Sequence, residues 1–165
     1  AKKLDAFAAY LKANGMTLEY HHHMGAYCES PADLDTLMRL TSPNVGLLFD
    51  TGHITFAGGN ALAELKKHIG RVVHVHCKDV RENVMLRARN KDQSFLNSVL
   101  DGVFTVPGDG MIDFAPILQE LANRNYTGWL VVEAEQDPAV APSYEYAKKG
   151  YDTLAGLVRQ INGQA

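Results

Sequence analysis

Apolar positions along this chain switch repeatedly between helical spacing and short continuous runs. Leu4, Phe7, Ala8 and Leu11 recur at helical spacing and stop at Asn14-Gly15, so an opening helix is predicted with no strand before it. Met16 to His23 then reads as a strand. Ser30-Pro31-Ala32-Asp33 combines an N-cap, a proline at the first helical position and an acidic first turn, which starts a helix running to about Leu40. Val45 to Phe49 is a continuous apolar run of the kind buried on both faces, and it ends abruptly in Asp50-Thr51-Gly52-His53. Asn60 caps a further helix through His68 that stops at Gly70, and Arg71 to His76 gives a third strand.

After Asp79 the pattern loosens. Arg81 to Asn90 is polar and partly helical, Phe95 to Phe104 is more apolar, and Pro107-Gly108-Asp109-Gly110 is rich in turn formers. Asp113 caps a helix bearing Ile117, Leu118 and Leu121, Trp129 to Glu133 forms a fourth strand, and a last helix spans about Ser143 to Ile161 with Leu154, Leu157, Val158 and Ile161 on one stripe. Helices alternating with apolar strands imply right-handed parallel βαβ units in a single domain over residues 1–165. Each strand turns polar only at its C-terminal end, the end that converges on one site in a (β/α) barrel.

Those ends carry His21-His22-His23, then Asp50 and His53, then His74 and His76 with Lys78-Asp79, and finally Glu133 and Glu135. Oxygen and imidazole donors without thiolate suit Mn, Co, Mg, Zn or Fe(II) and leave positions for substrate oxygens. His74 and His76 share a strand face by the period of two, and His76 lies nearer the mouth, which makes it the ligand and His74 a buried, hydrogen-bonded residue. His22 has the opposite parity and is expected to pack towards the helical layer. His68, on a helix, is expected to face solvent.

Composition narrows the classes. The 165 residues are 46% apolar with a net charge of −3, so there is no basic footprint for nucleic acid. Apolar runs are of strand length, far short of the roughly 20 residues of a membrane span. Cys28 and Cys77 have no metal-ligand spacing, which fits a reduced, cytoplasmic setting and leaves a disulfide between them open.

Five blocks carry a more specific signal: Tyr20 to Gly25, Gly46 to His53, Val73 to Arg81, Phe104 to Gly110 and Trp129 to Asp137. Together they resemble inosose dehydratases of the xylose-isomerase-like superfamily. The resemblance implies an α/β, parallel (β/α) TIM barrel of which this chain holds strands five to eight, the C-terminal half. It implies a divalent metal, Mn or Co, with Mg or Zn compatible, held by Glu29, Asp50, His76 and Glu133; Glu19 is the alternative first ligand but lies deeper in the barrel. It also implies loss of water from 2-keto-myo-inositol through a metal-stabilised enolate, in inositol catabolism. Histidines would act as acid and base, with His21, His23 and His53 as candidates, and Lys78 or Arg81 would anchor substrate oxygens. Against that, Lys78 and Arg81 are equally readable as surface ion pairs with Asp79 or Glu82. Glu135 has the facing needed to orient a histidine. A thiol such as glutathione is compatible with the resemblance.

Three other readings stand beside this one. A ketose 3-epimerase or hydroxypyruvate-type isomerase begins with the same enolisation, and a nuclease-like member would use more metals on phosphodiesters. An inactive half barrel would expose unpaired strand edges and associate with other chains, including copies of itself.

Overall fold

The computed structural model describes residues 1–163, in which the chain alternates helix and strand as α1 (Lys2–Ala13), β1 (Leu18–His21), α2 (Pro31–Leu40), β2 (Val45–Asp50), α3 (Thr51–Phe56), α4 (Ala61–His68), β3 (Val72–Cys77), β4 (Asp79–Val80), α5 (Glu82–Asn90), α6 (Phe95–Leu100), β5 (Phe104–Thr105), α7 (Phe114–Asn123), β6 (Trp129–Val132) and α8 (Ser143–Ile161). Strands β1, β2, β3 and β6 pair in that order, all parallel, and the short β4–β5 pair is antiparallel. Among the described residues no helix is long and apolar enough to cross a membrane.

The helix starts follow the chemistry of their caps. Ser30 and Asp33 form a reciprocal capping box at α2, and Asn60 and Asp113 accept amides at the starts of α4 and α7. Leu34, Met38, Leu65, Ile117, Leu118, Leu121 and Leu154 pack from the helices onto Leu47, Phe49 and Val75, the residues of β2 and β3 that point away from the polar face. A second cluster of Phe56, Val80, Val84, Met85, Val103 and Phe104 holds the insertion.

Several expectations are corrected. The first strand is shorter than Met16 to His23, because the His22 ring, instead of a β1 carbonyl, accepts the Asp50 amide at 3.1 Å and ends the ladder. His22 is fully buried beside Phe49 on the helical side, as its parity implies. His68 does not face solvent: it is 8% exposed and its Nε2 lies 2.9 Å from Asp35 Oδ1 on α2, so it ties α2 to α4. The third strand starts at Val72, after a 3-10 turn over Ile69–Arg71. Arg71 is spent instead on the carbonyls of Met38, Thr41, Ser42 and Val45, closing the C-terminal end of α2. Helix α3 was not expected; Asp50 starts it by accepting the His53 amide at 2.8 Å. Both cysteines are free and buried.

Candidate functional site

Strand register stacks the polar residues in tiers. His21 is level with Leu48 and His74, and Asp50 is level with His76 and Val131. Period-two alternation then aims Glu19, His21, Asp50, His74, His76, Glu133 and Glu135 at one face of the sheet. Glu19 is paired with Gly46, four residues below Asp50, and its carboxylate lies 3.2 Å from His74 Nδ1. At about 3.3 Å per residue that pair sits well beneath the mouth. His74 is therefore engaged in the lower tier, as expected of it, though it remains partly exposed.

In the upper tier four donor atoms face one another. His21 Nε2 is 3.4 Å from Asp50 Oδ2, His76 Nδ1 is 3.5 Å from the same oxygen, and Glu133 Oε2 is 3.4 Å from His76 Nδ1. All four atoms are buried without a well-formed hydrogen bond. Donors about 2.1 Å from a shared ion, at tetrahedral to octahedral angles, stand roughly 3.0–3.4 Å apart. The spacing and the orphaned atoms therefore fit a divalent cation, and His21, Asp50 and His76 form one compact candidate group for it.

Asp50, His76 and Glu133 are thus brought together. Glu29 is not: its carboxylate accepts the Gly25 amide at 2.8 Å in the turn after β1, at a glycine of positive φ, and the further donor facing Asp50 is His21. The signal for His21 was its parity with Glu19 one tier below.

Above this tier lies a second group, His23, His53 and Glu135. The His23 and His53 rings are 3.8 Å apart between centroids, and Phe95 packs against both. Glu135 lies 3.6 Å from His23 Nε2 and 3.4 Å from His53 Nε2. His23 Nδ1 is 2.7 Å from the Met24 carbonyl, which assigns the proton to Nδ1 and leaves Nε2 free towards the site.

Lys78 joins the two groups. It is fully buried, and Nζ is 2.7 Å from Glu133 Oε2, 2.8 Å from Glu135 Oε2, 2.9 Å from His53 Nε2 and 3.4 Å from Asp50 Oδ2. Its ammonium is enclosed by these carboxylates and the His53 ring, so it is not a surface ion pair. Arg81 is engaged away from the donor tier. Its guanidinium is held by Gly102, Phe104, Thr105 and Asp109, on and beside β5.

The electrostatics follow from this packing. Burial alone would raise the Asp50 carboxyl, but the neighbouring imidazoles of His21 and His76 and the charge of Lys78 hold it well below the usual carboxylate range. Burial would lower His76, yet Asp50 and Glu133 outweigh it and raise the imidazole to about 9. His53 goes the other way: burial strongly lowers it, and it stays neutral.

The fold and this donor set define a barrel-type α/β protein with a carboxylate–imidazole centre at the C-terminal ends of its parallel strands. Residues 1–157 match the xylose isomerase-like TIM barrel family, and the chain belongs to it. It is similar to the rhizopine catabolism protein MocC of Rhizobium meliloti, 51% identical over 94% of this chain and 48% of the relative. Inosose dehydratase of Clostridium botulinum is likewise 51% identical, over 91% of this chain and 51% of its own length. The chain therefore spans about half the length of the curated relatives it matches. Among solved structures, the IOLI protein with a binding zinc atom superposes with a TM-score of 0.67 at 18% identity, covering 96% of this chain and 54% of that one, which shows the shared fold.

Proposed function

We propose that this chain carries the metal-binding part of an inosose dehydratase, a hydro-lyase that removes water from 2-keto-myo-inositol, and that it forms strands five to eight of the barrel as one partial domain. The observation that carries the reading is the meeting of His21 Nε2, Asp50 Oδ2, His76 Nδ1 and Glu133 Oε2 at the strand ends. The 51% identity to an inosose dehydratase over most of the chain supports it.

His21, Asp50, His76 and Glu133 would hold a divalent ion, Mn or Co by the family resemblance. When bound, such an ion supplies Lewis-acid polarisation of a ketone, which makes the neighbouring C–H acidic. His23 is the residue that exchanges the proton: its Nε2 points into the site while Nδ1 is anchored on the Met24 carbonyl. The electron pair left on carbon then expels the hydroxyl one carbon further on, which departs with a proton as water. His53 is spent on Lys78 and serves as a positioning residue. Lys78 contributes fixed positive charge beside the developing negative oxygen, and Glu135 holds Lys78 and the two rims of histidine in place.

The test is a product assay with 2-keto-myo-inositol and a free ketose on the full-length protein. Loss of water from the inosose is the expected result. Epimerisation of the ketose with no dehydration would replace this reading with that of a sugar epimerase.

A further inference from the structure

Two carboxylates in this site face two cation positions at once. Asp50 Oδ2 lies 3.4 Å from His21 Nε2 and 3.5 Å from His76 Nδ1 on one side, and 3.4 Å from Lys78 Nζ on the other. Glu133 Oε2 lies 3.4 Å from His76 Nδ1 and 2.7 Å from Lys78 Nζ. Carboxylates shared in this way are the framework of sites that hold two metal ions roughly 3.5–4 Å apart. The second position has its own terminal donors as well, His53 Nε2 and Glu135, with His23 alongside.

In this chain a lysine ammonium fills that second position. We propose that Lys78 is a built-in substitute for a second divalent cation: it occupies the pocket formed by Asp50, Glu133, Glu135 and His53, keeps the centre mononuclear, and so makes its removal sufficient to open a two-metal site. This rests on the reading of the upper tier as a metal site.

Three observations carry the proposal. The Lys78 stem is fully enclosed, so the head group cannot swing out to admit an ion. Gly52 contributes to that enclosure, since a Cβ there would lie 2.6 Å from Lys78 Cγ, and the backbone is thus shaped around the stem. The charges also match: the carboxylates of Asp50, Glu133 and Glu135 are balanced by one ammonium and one divalent ion. A second divalent ion beside Lys78 would leave an excess positive charge against the fully buried Lys78. It would also have to displace an ammonium that already holds its donors at hydrogen-bonding distance.

The test is metal stoichiometry, measured by elemental analysis and by the electron paramagnetic resonance of bound Mn(II), on the full chain and on Lys78→Ala. The parent is expected to hold one ion with the spectrum of an isolated Mn(II). Lys78→Ala is expected to hold two, with the spectrum of a spin-coupled pair, and Lys78→Ala combined with Glu135→Gln should return to one. A parent with a coupled pair overturns the proposal, as does Lys78→Ala that stays at one ion, or a second ion that survives Glu135→Gln. A parent holding no ion sinks the metal reading itself, which separates that failure from the others. Should Lys78→Ala fail to fold, Lys78→Ser offers the same space with a polar side chain, and the parent spectrum still decides between one ion and two.

Discussion

Asp50 divides its carboxylate between two tasks: Oδ1 accepts the backbone amide of His53 at 2.8 Å, and Oδ2, which has no well-formed hydrogen bond, faces His21, His76 and Lys78. One oxygen starts helix α3 and the other joins the donor tier. Asp50→Asn keeps an oxygen for the cap but loses the charge. We expect it to fold, to lose most of its bound divalent ion, and to lose turnover by at least about 10²-fold. Asp50→Ala loses the cap too and should cost about 1 kcal/mol beyond Asp50→Asn in urea unfolding. Equal metal content in Asp50→Asn and the parent would remove Asp50 from the ligand set.

Gly52 gives a second prediction, because it sits against the Lys78 stem. An added methyl would meet Cγ at 2.6 Å, Cδ at 2.8 Å and Cβ at 2.9 Å of a side chain that has no room to withdraw. Gly52→Ala should cost about 1–3 kcal/mol in stability and reduce turnover sharply, by displacing the ammonium from Glu133 and Glu135. Normal turnover in Gly52→Ala would show that Lys78 can move without consequence.

Asp109 predicts a pH response outside the donor tier. Burial pushes its carboxyl up, but Lys149, Thr105 and Arg81 outweigh that, so it is held below the ordinary aspartate range in the folded chain. A depressed acid contributes stability above its unfolded pKa and loses it as pH falls through the folded one. The stability difference between the parent and Asp109→Asn should therefore be constant at neutral pH and shrink as pH drops below about 3.9, the unfolded aspartate value. Urea midpoints of the two proteins across that range are the measurement, and a difference that grows on acidification would contradict the ion-pair account.

The thiols should be inert. Burial raises Cys28 to about 11, with Asp33 adding to it, and raises Cys77 further, with Asp50 adding to it. Both are nearly or fully enclosed. A thiol reagent should label neither in the native chain and both after denaturation. Rapid native labelling of Cys77 would mean that the sheet opens far more readily than its packing implies.

Much of the architecture was legible because it rests on local chemistry. Ser30-Pro31, Asn60 and Asp113 announce their helices, and the apolar run from Val45 to Phe49 reads directly as a strand between helices. The motif resemblance named Asp50, His76 and Glu133, and the strand register brings them together. Sequence pattern could not settle contacts that depend on tertiary reach. Nothing local to Lys78 tells a surface ion pair from a buried ammonium, because its partners Glu133 and Glu135 are more than fifty residues away. His68 reads as exposed on its own helix because its partner, Asp35, comes from another. Glu29, preferred over Glu19 as the first ligand, lies away from the donor tier for a related reason: a carboxylate beyond a glycine turn can fold back on the turn's own amide, and here it does.

The Asp79 carboxylate, fully enclosed, accepts the amides of Val80, Gly110 and Ile112 at 2.8, 3.0 and 2.9 Å. Lifting the Pro107–Gly110 segment would take the Gly110 amide from a desolvated acid, a cost of about 1–3 kcal/mol. The tether holds that segment against the end of β4, so its opening is disfavoured relative to that of a free loop.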